Sequence, residues 1–247
     1  MVETSTAAGS SAPAGSERTA SNPPTRVPDA IAAYFADLNE RLSRLAAATA
    51  PALHRLAVDI AAAIADGGHQ LHLLDHGHLL GQELTWRAGG LPLVHVLDKE
   101  AALSPVIVRR GDWVIVASVS GRGVDVVETA LGLKRRGVRV IALTSLEQSR
   151  TVQPAHASGQ LLYQVADYVI DLPIPAGDAV LALPGLEEKV APASGVLSVA
   201  AMWALLSQIA AELVAHGLHP TVFRSVNLPG GEEEFNQAVA RYRATGL

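Results

Sequence analysis

The chain has 247 residues, no cysteine, 49% hydrophobic and 17% charged residues, and a formal charge of −5. Such a length buries a sizeable core in one or two domains, the charge leaves no basic footprint for nucleic acid, and the missing cysteines exclude disulfides and thiolate metal sites. No run approaches the ~20 consecutive apolar residues of a membrane span, no basic-then-apolar leader opens the chain, and the cytoplasm is the expected location.

Residues 1–27 are mostly Ala, Ser, Thr, Gly and Pro. They have little to bury against their ordering entropy and read as a disordered tail, leaving 28–247 as the folded domain. Ile31, Tyr34, Phe35, Leu38, Leu42 and Leu45 recur at helical spacing, and Pro28 and Asp29 suit the start of that helix. After Pro51 a second helix is expected from Leu53, Leu56, Ile60 and Ile64, ended by Gly67 and Gly68. A short strand over 71–74 follows, then a polar turn, a helix to about Arg87, and a strand over 93–97.

Gly111 and Asp112 introduce an apolar strand at 114–117. A helix over 124–136, with Val124, Val127, Leu131 and Leu133 facing inward, leads to a second continuous apolar strand at 138–143. Another strand is expected at 168–172, then a long apolar helix over 196–216 and a polar one over 232–243. Short apolar strands alternating with helices predict a parallel sheet covered on both faces, a three-layer αβα sandwich with added helices at both ends. Residues 1–50 offer one helix and little positive charge, so a helix-turn-helix is not expected.

In such sheets ligands gather beyond the carboxyl ends of the strands, and three of these ends are polar here. They are Asp75-His76-Gly77-His78, Ser118 to Gly123, and Thr144-Ser145. The second joins a strand to a helix through SVSGRG. Two hydroxyls would lie beside the free amides of a helix N-terminus, an arrangement that binds anions. Arg122 adds charge. Alternatively, Ser120 caps the helix. Val126 breaks a dinucleotide fingerprint, no Gly-Lys-Ser/Thr forms a triphosphate loop, and Ser118 stands where a nucleophile elbow needs glycine.

GDWVIVASVSGRGVDVVETALGLKRRGVRVIALTSLEQSRTV, with ASGQLLYQVADYVID, PAGDA, EKVAPAS and SVNLPGG further on, resembles the SIS (sugar isomerase) domain family, in its single-domain phosphosugar-binding branch. The resemblance implies a flavodoxin-like parallel sheet, a homodimer or homotetramer, and a phosphorylated sugar as ligand. It assigns the phosphate to Ser118 and Ser120, with Gly121, Arg122 and Gly123 in the same loop and Thr144 and Ser145 as second contributors. It makes Glu83 a base for aldose–ketose isomerisation and brings Lys189 toward the ligand; His76 or His78 is a candidate acid–base partner because an imidazole ordinarily titrates near neutral pH. The branch carries a glycine-rich His-Ser-His loop after its first strand. Here the serine is replaced by Gly77, Asp75 stands where a glycine is usual, and an insertion before Gly111 is short, departures that favour the alternative of a non-catalytic phosphosugar-sensing or scaffold protein with a degenerate active site.

His69, His72, His76 and His78 with Asp75 are donor types suited to zinc, nickel or manganese. Successive turn residues rarely converge on one ion, so outward strand histidines beside a polar turn are the simpler reading. No metal and no cofactor is expected, and neither nucleic acid nor membrane is expected as a partner.

Overall fold

A computed structural model describes residues 29–77 and 80–245; the expected tail at 1–27 and His78 lie outside them. In chain order it contains α1 (Ala30–Gly67), β1 (Leu71–Asp75), α2 (Leu80–Leu84), β2 (Val94–Leu97), α3 (Lys99–Leu103), β3 (Trp113–Ala117), α4 (Val124–Arg135) and β4 (Arg139–Thr144). There follow α5 (Leu146–Ser149), α6 (Leu162–Val165), β5 (Tyr168–Asp171), β6 (Ala179–Leu181), β7 (Val190–Pro192), α7 (Ser194–Ala215) and α8 (Gly231–Thr245).

Five parallel strands pair in the order β2-β1-β3-β4-β5, and β6 and β7 form a separate antiparallel pair. Side chains alternate across each strand, and both faces are apolar, so helices cover both. On one face Leu71, Leu73, Ile115, Ile141 and Leu143 pack with Leu56 and Ile60 of α1 and Leu197, Leu205 and Ile209 of α7. On the other, Val114, Val116, Val140 and Ala142 meet Val126, Val127, Ala130 and Leu133 of α4, with Leu162 and Val165 of α6. The expected αβα sandwich is found. The inward stripe of α4 differs in one respect: Val124, in its first turn, is half-exposed, and Val126 takes the buried place.

The two expected N-terminal helices are one. Helix α1 continues through Pro51, although proline removes one backbone donor and ordinarily breaks a helix. Leu45, Thr49, Leu53, Leu56, Ala57 and Ile60 make one buried stripe across that point, so packing outweighs the missing bond. Helix α2 is shorter than expected. Trp86 adopts a φ of 57°, which no helix accommodates, and its ring stacks on Phe223 at 5.4 Å. Helices α1 and α7 have the length and composition of membrane spans, yet each buries apolar residues in the same core.

Candidate functional site

The order of the strands reverses direction between β1 and β3: the chain moves to β2 on one side and later continues through β4 and β5 on the other. Such a switch opens a crevice at the carboxyl ends of the two central strands. Asp75 pairs with Ala117 in register, and the His76 amide donates to the Ala117 carbonyl at 3.1 Å. The first two polar loops therefore leave the sheet side by side.

The loop after β3 is built to leave donors unspent. Ser118 is held through its amide to the Leu143 carbonyl, it is 6% exposed, and its hydroxyl bonds no described residue. The amides of Val119, Ser120, Gly121 and Gly123 likewise donate to no described residue. Helix α4 has Gly123 at its N-cap with no side-chain cap bond, so Ser120 is not the cap. Among the described residues, the only bond to the Ser120 hydroxyl is a long one from the Arg122 amide, 3.4 Å. Gly121 turns the loop with a φ of 59°, and a Cβ there would stand 2.8 Å from the Leu162 Cβ. Its carbonyl accepts from the Leu162 amide, which ties the loop to α6. Arg122 is exposed, its Nε donating to the Gln153 carbonyl at 2.9 Å.

Thr144 and Ser145 are fully buried. The Thr144 hydroxyl donates to the Val119 carbonyl and lies 3.3 Å from the Ser149 hydroxyl. That of Ser145 donates to the Ile174 carbonyl and accepts from the Gln148 amide. Both brace the β3 and β4 ends from inside. In the first loop, the His76 Nε2 lies 3.4 Å from the Asp125 carboxylate at the start of α4. Glu83 is ion-paired with Arg87 and opens, with Trp203, on a cavity of about 270 Å³. His76 opens on another, with Asp75, Asp98, Lys99 and Asp125. Among the described residues, Glu83 and His76 thus line different cavities. Lys189 is exposed in the segment joining β6 and β7.

No protein-family model matches the chain. It is 33% identical over 233 residues to the UPF0309 protein of Geobacillus kaustophilus, covering 85% of this chain and 93% of that one. With the UPF0309 protein of Brucella anthropi the identity is 36% over 233 residues, 85% of this chain and 95% of the other. The chain belongs to the UPF0309 family. Its fold is shared with a phosphoheptose isomerase from Francisella tularensis (TM-score 0.51, 15% identity, 73% of this chain and 96% of that one). It is shared too with the sugar isomerase domain of an RpiR transcription factor from Sphaerobacter thermophilus (TM-score 0.50, 19% identity, 87% and 98% covered). A third such structure is the Vibrio vulnificus NanR protein complexed with ManNAc-6P (TM-score 0.51, 13% identity, 87% and 69% covered). The SIS architecture expected from the sequence is therefore present in this UPF0309 chain.

Two polar constructions in the UPF0309 chain escaped the sequence reading. The first is internal. His72, expected to point outward, is 1% exposed, and Asp112 is fully buried. The His72 Nε2 lies 3.3 Å from the Asp112 carboxylate, which also accepts from the amides of Gln70 and Arg109. Next to them His95 meets the Tyr242 hydroxyl of α8 at 3.1 Å. Burial pushes the His72 imidazole below its ordinary range despite Asp112, and burial and then His72 do the same to His95. Burial alone would raise Asp112, but the Arg109 and Gln70 amides and His72 outweigh it and hold the carboxyl low. The second construction seals α7. Asp178, held at a φ of 66°, accepts from the Ala193 and Ser194 amides and the Ser194 hydroxyl. Sequence alone placed Asp112 in a turn before a strand; only its 42-residue reach to Gln70 reveals the network. Among the described residues no group of three or more His, Cys, Asp or Glu side chains has the arrangement of a metal site.

Proposed function

We propose that this protein binds a phosphorylated sugar at the crevice between β1 and β3, its phosphate seated on the Ser118–Gly123 loop. The observation that carries the reading is the set of unspent donors there. Four amides and the Ser118 hydroxyl meet no described partner, at the N-terminus of a helix that lacks a side-chain cap. A phosphate supplies oxygens to all of them and gains from the helix dipole. Thr144 and Ser145 shape this seat from behind, while Arg122 borders it. Lys189, exposed between β6 and β7, is a further candidate for a ligand contact. The NanR structure, sharing this fold, is complexed with a sugar phosphate, which supports the same ligand class here.

Aldose–ketose isomerisation is the reaction such a site would host, with Glu83 as base and His76 as acid–base partner. Within one chain, however, Glu83 is occupied by Arg87 and faces a different cavity from His76. This supports ligand binding as the activity of the single protomer. We also propose a cytoplasmic homodimer. Helices α1 and α7 line an apolar groove of about 430 Å³, and Ile31 and Phe35 of α1 are 73% and 58% exposed, apolar surface that a second copy would cover.

The test is calorimetric titration with hexose, pentose and heptose phosphates, repeated on Ser118→Ala/Ser120→Ala. Each hydrogen bond to a charged group contributes about 1.5–3 kcal/mol, so the double variant should bind the best ligand at least ~100-fold more weakly. Unchanged affinity would move the phosphate elsewhere. Turnover of a bound sugar followed by NMR, abolished in Glu83→Gln, would make the protein an isomerase; tight binding without turnover would leave it a binding protein.

A further inference from the structure

A cavity of about 250 Å³ adjoins the phosphate seat, between the ends of β1 and β2 and the opening turns of α4. Leu74, Leu97 and Val126 form its apolar part, and its polar part is Asp75, His76, Asp98, Lys99, Asp125 and Thr129. Two independent observations single it out. Thr129 is fully buried, and among the described residues its hydroxyl has no hydrogen-bond partner. A helical threonine ordinarily turns its hydroxyl back on the carbonyl one turn earlier, and an orphaned buried hydroxyl is costly unless a ligand completes it. The second observation is the sign of the walls. Three carboxylates face one ammonium, that of Lys99, so the cavity repels a phosphate and attracts a cation.

The carboxylates are positioned rather than adrift. Asp98 accepts the Ala101 amide at 2.7 Å with one oxygen, and the other is left over. Asp75 accepts the Gly81 amide at 3.4 Å. Asp125 is the link to the neighbouring seat. One oxygen faces His76, and the other lies 2.9 Å from where a side chain on Gly123 would begin. The phosphate loop and the acidic cavity are therefore separated by one carboxylate.

We infer that the ligand is an amino-sugar phosphate with a free ammonium: the phosphate lies on the Ser118–Gly123 loop and the ammonium enters the acidic cavity, within reach of Asp98, Asp125 and the Thr129 hydroxyl. This inference rests on the phosphosugar reading above. A hydroxyl at the same carbon carries no charge to answer the carboxylates, and an acetamido group loses the charge and adds bulk. The selectivity is electrostatic, so it weakens as salt rises.

The experiment titrates the full chain at pH 7 with matched 2-amino, 2-acetamido and 2-hydroxy hexose 6-phosphates of the gluco, galacto and manno series. In at least one series the amino member should bind ten times more tightly than the other two. Asp98→Asn/Asp125→Asn should reduce that ratio to within twofold. If that variant does not fold, Thr129→Val keeps the volume, removes the hydroxyl and should lower the ratio at least threefold. Equal binding across every series overturns the inference and leaves the phosphosugar reading intact, as does a ratio that the folded variants preserve. Binding of no hexose phosphate overturns the inference, and if pentose and heptose phosphates fail to bind as well, the phosphosugar reading falls with it.

Discussion

At the scale of single residues, Gly121 sets the shape of the Ser118–Gly123 loop. It holds a left-handed backbone against α6, with no room for a Cβ beside Leu162. Gly121→Ala joins backbone strain to a steric clash, a combination that costs about 1–3 kcal/mol. Urea denaturation should show a loss of that size, with ligand affinity falling as the free amides are re-aimed; a variant as stable as the parent would mean that the loop relaxes freely. Serines of identical type divide by position. Ser118 keeps its hydroxyl unspent, whereas that of Ser145 is bonded twice inside the chain. The difference was invisible in the string Thr144-Ser145, because the acceptor on Ile174 lies 29 residues away.

At the scale of elements, the Asp112–His72 pair and the His95–Tyr242 contact join β1, β2 and α8 through polar groups in an apolar setting. Both imidazoles titrate below their ordinary range in the folded chain, so the unfolded chain takes up protons first as pH falls. Their contribution is complete above about pH 6.5, the ordinary histidine value, and is lost on acidification. The slope is up to about 1.4 kcal/mol per pH unit for each proton. Asp112, also held low, adds a further loss below the ordinary carboxylate range. The melting temperature should therefore drop between pH 7.5 and 5.5, and His95→Gln should flatten part of that drop. A Tm that rises on acidification would contradict the assignment of these histidines as neutral.

At the scale of the whole molecule, the proposed homodimer would form on the apolar groove between α1 and α7, with the exposed Ile31 and Phe35 of α1 on the same helix. Light scattering should give twice 25.7 kDa. Ala204 is exposed on the groove wall, so Ala204→Glu should halve the mass while the circular dichroism stays that of the parent. A monomeric parent would dispose of the homodimer.

The layered parallel sheet was legible in the sequence because its determinants are local. Runs such as Trp113–Ala117 are apolar at every position, and a strand with no polar face can rest only between two helical layers. The strand-end loop was legible for the same reason, since serines and glycines there interrupt a buried segment within a few residues. What only the tertiary structure decided depends on partners far along the chain. The stripe on α1 that carries the helix through Pro51, the carboxylate that claims His72, the separation of Glu83 from His76, and the orphaned Thr129 hydroxyl are all set by packing between distant segments. A sequence window records which groups are available for such contacts; the folded core determines which of them meet.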